Sequence, residues 1–129
     1  MQENDISKII LDLCIKIHKT LGPGLLEKAY EECLCYEMSK AGLAYERQKQ
    51  IPLVYDGIEV GEAFRADIVV EDKVIVELKS VNKIEDMFFS QLLTYLKLSD
   101  KKLGLLINFN VVDLNSDAII RCVNHFQPE

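Results

Sequence analysis

Asp67, Glu77 and Lys79 interrupt an otherwise apolar stretch, FRADIVVEDKVIVELKSV, at residues 64–81. Two carboxylates and an ammonium form a set that can hold a cation and stabilise negative charge on a substrate. The stretch reads as two strands joined by a turn. Side chains alternate along a strand, so Ile75, Glu77 and Lys79 share one face while Val74, Val76 and Leu78 share the other. Two registers are open. A two-residue turn at Asp72-Lys73 sets Asp67 against Leu78, whereas a three-residue turn at 71–73 sets it against Glu77. Only the second gathers Ile68, Val70, Val74, Val76 and Leu78 on one face, and a one-residue slip is costly where a face is buried. The spacing therefore predicts Asp67 directly opposite Glu77, with Lys79 on the same face.

Like charges placed across a strand pair repel. A partly buried pair needs a compensating cation or a raised pKa. Lys79 supplies part of that compensation, and a divalent metal would supply more. Carboxylate oxygens select hard ions such as Mg2+ or Mn2+, which polarise phosphoryl oxygens and acidify water. The hairpin alone fits equally a metal site and an ion-paired, solvated sheet face.

The elements that must position these residues follow from periodicity. Ile6, Ile9, Ile10, Leu13, Cys14, Ile17 and Leu21 recur with helical spacing over 5–20. GPG at 22–24 separates this helix from a second over Leu25–Lys40, which AGL ends. AYERQKQIPLVY, IEVGEAFRADIVV and VIVELKSV read as strands, the first two joined by a hairpin turn at Asp56-Gly57. The helical period returns over 83–98, through Ile84, Met87, Phe88, Leu92, Tyr95 and Leu96. KLGLLINF reads as a strand buried on both faces, and AIIRCV as a last strand or extended segment. A helix between two strands implies a crossover onto a parallel neighbour, hence an α/β fold with a mixed sheet.

The 129 residues suit a single domain over 1–129. No apolar run approaches the roughly 20 residues of a membrane span. MQENDISKII carries early acids and no basic leader, so a cytoplasmic, membrane-free protein is expected. The four cysteines, Cys14, Cys33, Cys35 and Cys122, form no C-x-x-C pair and read as reduced, buried thiols. With His18 and His125 they make a poor zinc set. A net charge of −6 argues against a large basic face that grips nucleic acid.

The acid residue followed by Glu77-Leu78-Lys79 resembles the signature of the PD-(D/E)xK nuclease superfamily. Gln91 and Tyr95 in QLLTY resemble the Q-x-x-x-Y motif of its RecB-like branch. Gly24-Leu25-Leu26-Glu27-Lys28-Ala29-Tyr30 resembles the motif that names the GxxExxY proteins, small members of that superfamily. HKTLGPGLLEKAYEECL, FRADIVV, VELKSV and LLINF are similar to that family's blocks, over roughly residues 8 to 124. The resemblance implies a restriction-endonuclease-like αβββαβ core, its mixed sheet flanked by helices, plus an N-terminal helix. It implies Mg2+ or Mn2+ held by Asp67, Glu77 and Glu27, with Lys79, Glu27, Gln91 and Tyr95 as catalytic residues. One departure stands out: Ala66 occupies the place where the wider superfamily often has proline.

Bland readings stand beside these roles. With Gly24 as N-cap, Glu27 falls at N3, where a carboxylate meets the helix dipole favourably. Tyr30, one turn on, fits packing as well as a site role. Gln91 and Tyr95 share a helical face and fit either an orienting role toward Lys79 or a phosphate, or packing of helix on sheet. His18 fits a packed or surface position. Two functions follow. One is a divalent-metal-dependent nuclease hydrolysing DNA, with RNA as the other candidate. The alternative is a catalytically silent binding or assembly module on the same fold. A homodimer or partner protein would add binding surface to so small a core.

Overall fold

Apolar residues at helical spacing form α1 (Glu3–Leu21) and α2 (Glu27–Lys40). α1 opens on a reciprocal cap in which the Asp5 carboxylate accepts the Gln2 N–H. α2 begins two residues later than its spacing suggests. Leu26 is the N-cap, so Glu27 stands at N1 and not at the expected N3. The reason lies in the preceding loop. The Tyr30 hydroxyl donates to the Gly22 carbonyl and accepts from the Leu25 N–H, while Ser80 Oγ donates to the Leu25 carbonyl. These bonds hold the chain extended as far as Leu26. The computed structural model describes residues 1–115 and 117–125, without the side chains of 62 and 63.

Next come β1 (Tyr45–Tyr55), β2 (Ile58–Val70), β3 (Val74–Lys79), α3 (Asp86–Ser99), β4 (Leu103–Asn108) and β5 (Ile119–Val123). The sheet runs β1-β2-β3-β4-β5, with β3 and β4 parallel and every other pair antiparallel. AIIRCV thus supplies an edge strand against β4. The α/β class, the mixed sheet and the αβββαβ order from α2 to β4, with α1 in front, agree with expectation. Pro52 is tolerated because β1 is the other edge. Among the described residues no helix is long and apolar enough to cross a membrane.

Both faces of the sheet are covered. Ile68, Val70, Val74, Val76, Leu78, Leu103, Leu105 and Ile107 pack against α1 and α2. Ile75, Val69 and Leu106 pack against Leu92 and Leu96 of α3. Every residue of β4 is buried. Each fully buried aliphatic side chain contributes about 1.5–3 kcal/mol, so these two layers dominate stability. α3 lies so close that a Cβ on Gly104 would stand 2.8 Å from Leu92 Cδ1.

The two hairpin turns decide register. Asp56 and Gly57, at φ 52° and 75°, make the tight turn that pairs Tyr55 with Ile58. Glu71-Asp72-Lys73 make a three-residue connection in which the Lys73 N–H bonds the Val70 carbonyl. Glu71 and Asp72 adopt left-handed φ of 53°, which costs free energy for non-glycine residues. Compensation is visible. Glu71 exchanges two bonds with Ala44, and Lys101 Nζ donates to the Asp72 carbonyl and carboxylate.

Candidate active site

Val70 pairs with Val74 and Ile68 with Val76, the register that the apolar pattern predicts. The backbone ladder between β2 and β3 then stops, and side chains replace it. The Leu78 N–H donates to Asp67 Oδ2 at 2.9 Å, and the Asp67 N–H donates to Glu77 Oε1 at 3.3 Å. The strands fork here, and the two carboxylates fill the fork. Alternation along β3 sends Glu77 and Lys79 to the α3 side, because Val76 and Leu78 are committed to the α2 side.

Glu77 is 7% exposed. Burial, then the neighbouring Asp67 charge and a hydrogen bond between the two carboxyls, push its pKa up to about 9, opposed by the bond from the Asp67 N–H and, after it, by the Lys79 charge. The Lys79 ammonium stands 4.4 Å from the centroid of the Phe88 ring and makes no ion pair among the described residues. The acid pair is therefore under-compensated by protein cations.

Glu27 approaches from the other layer. Its Oε2 accepts the Ser80 N–H at 3.2 Å, and with Leu25 accepting from Ser80 Oγ it fastens the end of β3 to the start of α2. Tyr30, fully buried, stacks on Phe109 and carries the loop bonds described above. His18 is buried too, and its Nε2 bonds the Val111 carbonyl. On α3, Tyr95 is half-buried with its ring stacked on Phe64, and burial followed by the Glu77 and Asp67 charges raises its pKa. Gln91, one turn earlier, is exposed.

A cavity of about 520 Å³ opens beside Asp67, lined by Glu27, Glu31, Glu32, Arg47 and Gln48 among others. Four residues that hold this region escaped the sequence reading: Glu31, Arg47, Gln48 and Asn108. Glu31 is buried and bonded to Arg47 and Gln48. Asn108, also buried, exchanges two bonds with Val81, while the Phe109 N–H reaches the Lys79 carbonyl. An Asn closing an apolar strand was the available signal for the last. Nothing in the local pattern of YERQKQ announced Arg47 and Gln48.

The donor set bears on a metal. Among the described residues no three His, Cys, Asp or Glu side chains cluster as ligands. Two touching carboxylates still fit a Mg2+-like ion, which takes one or two carboxylates and completes its shell with water and substrate oxygens. The four cysteines are free, and burial pushes the Cys14 thiol well up, leaving it protonated and inert.

The family model for the PD-(D/E)XK nuclease superfamily matches residues 4–122. The chain belongs to that superfamily. The match spans the forked hairpin and both helices that flank it. Superfamily members generally use divalent metal ions. Neither the comparison with curated proteins nor that with solved structures returns a match.

Proposed function

We propose that this superfamily member is a divalent-metal-dependent nuclease hydrolysing phosphodiester bonds of DNA, with RNA as the second candidate substrate. The observation that carries the reading is the contact between Asp67 and Glu77 in the fork, two acids that make no ion pair among the described residues and that the Lys79 charge compensates only in part. Asp67 and Glu77 would hold Mg2+ or Mn2+. Such an ion supplies Lewis-acid polarisation of a phosphoryl oxygen and a supply of nucleophilic water near neutral pH.

The chain's own groups do the rest. Lys79, on the face of Glu77, donates hydrogen bonds to charge developing on the phosphate or orients the attacking water. Phe88 keeps that ammonium on the α3 side. Glu27, bonded to the Ser80 N–H, sets the end of the strand that carries Glu77 and Lys79. Tyr95 and Gln91 line the α3 side, where a scissile phosphate would be met. Gly24, Glu27 and Tyr30 support placement among the GxxExxY proteins, and Gln91 with Tyr95 supports the RecB-like branch. A homodimer belongs to the same proposal, since a second copy adds surface for an extended substrate.

Purified protein with Mn2+ or Mg2+ is expected to cut single- or double-stranded DNA, with Glu77→Ala and Asp67→Asn each reducing the rate by at least about 100-fold. Cutting unchanged in both variants would assign the activity elsewhere. Sedimentation velocity reads the oligomeric state.

A further inference from the structure

We propose that Gln48 is a positioning residue that turns Asp67 out of the β1 ladder and toward β3. The proposal deepens the nuclease reading, and only the metal arm of its test rests on that reading. β1 and β2 keep one register across this point, with Arg47 paired to Ile68 and Lys49 to Ala66. The rung between them, Gln48 against Asp67, is missing.

Both strands change phase at that rung. Ile68 and Val70 pack with α1 and α2, whereas Phe64 and Ala66 pack with α3, although regular alternation would put all four on one face. On β1, Tyr45 packs on the α1–α2 side and Ile51 on the α3 side, again against regular alternation. Gln48 has φ 50°, inside the left-handed region that a non-glycine residue rarely adopts within a strand. Local irregularities of this kind re-aim side chains and end pairing beside active sites.

A buried carboxylate holds the irregularity in place. Gln48 Nε2 donates to Glu31 Oε1 at 2.7 Å. Glu31 is only 6% exposed, and its other oxygen accepts from Arg47 Nε at 3.1 Å and Nη2 at 2.7 Å. Arg47 also reaches Glu32 at 2.7 Å. Glu31 is thus anchored by the residue just before Gln48. If Gln48 returned to a regular strand conformation, a buried acceptor would lose its partner. The consequence appears one strand away. Asp67, without a rung to Gln48, offers its carboxylate to the Leu78 N–H and its N–H to Glu77.

The test compares Gln48→Val, which favours extended backbone, with Gln48→Gly, which takes positive φ freely. Amide hydrogen exchange in the metal-free protein reads the Leu78 N–H, whose acceptor is Asp67, against the Ile75 and Val76 amides as internal reference. Gln48→Val should cut Leu78 protection by about tenfold or more relative to that reference, and Gln48→Gly should keep it within about threefold. Should the valine variant fail to fold, Gln48→Leu carries the same expectation. Titration calorimetry with Mn2+ should show about tenfold weaker binding in the same variant. Unchanged Leu78 protection in the valine or leucine variant overturns the proposal. An equal loss in Gln48→Gly would support the positioning role through the side-chain bond to Glu31 in place of the backbone conformation. If Leu78 responds as expected while no variant, the wild type included, binds Mn2+, the positioning role stands and the metal reading falls.

Discussion

Glu77 is the residue on which the proposed chemistry turns, and its proton offers a direct check. Burial, followed by the Asp67 charge, holds its carboxyl up to about 9, from an ordinary value of 4.5. Between those two pH values the unfolded chain has released this proton and the folded chain still holds it. The folded state therefore binds more protons, and stability falls as pH rises through the window, levelling above it. Glu77→Gln mimics the protonated acid and should remove that fall. Melting curves of metal-free protein across this window should show the wild type losing stability relative to the variant. Parallel curves would mean that the acid is not buried in this way. A divalent ion added to the wild type should reverse the loss, since it stabilises the ionised pair. Glu27 shows how far a motif can be read. The motif singles it out, yet its bond to the Ser80 N–H depends on where α2 starts, which loop bonds from Tyr30 and Ser80 set.

At the scale of elements, the hairpin was the most legible part. Five aliphatic residues on one face specify a single register, and the Glu71-Asp72-Lys73 connection provides it. β4 was legible for a similar reason, as a short apolar run needs cover on both faces. Its closeness to α3 was not. Gly104 admits Leu92 to within van der Waals distance of the backbone. Gly104→Ala should cost about 1–3 kcal/mol in urea unfolding through overpacking. Because Leu92 is the obstructing group, the double variant Leu92→Ala/Gly104→Ala should lose less than the sum of the single losses. Strict additivity would show that the crowding lies elsewhere. β1 read as a plain strand, and its phase change at Gln48 went unseen, since the cause is a carboxylate on a different element.

Over the whole molecule, 15 Lys and Arg face 21 Asp and Glu. Several of the cations are already engaged within the chain: Lys16 with Glu37, Arg47 with Glu31 and Glu32, and Lys101 with Asp72. The acids outnumber the cations that could displace counterions from a polyanion, leaving a net charge of −6. Binding of an oligonucleotide, measured in Ca2+ to suppress cutting, should depend shallowly on salt, with a log–log slope on the order of −2 to −3. A slope near −6 or steeper would reveal a basic surface that a single copy does not display.

The local record was enough for the class of fold, the order of its elements, the hairpin register and the identity of the acid pair. All of these depend on periodicity and on short-range turn chemistry, which neighbouring residues carry. Three other features arise from contacts between residues far apart in the chain. The fork binds Asp67 to Leu78, the Glu27 clamp binds α2 to β3, and the Glu31–Gln48 bond breaks the pleat. Each satisfies a backbone or buried polar group whose partner is known only once the layers are packed. Packing therefore converts two acids and a lysine on a strand face into a forked site with an under-compensated pair of carboxylates.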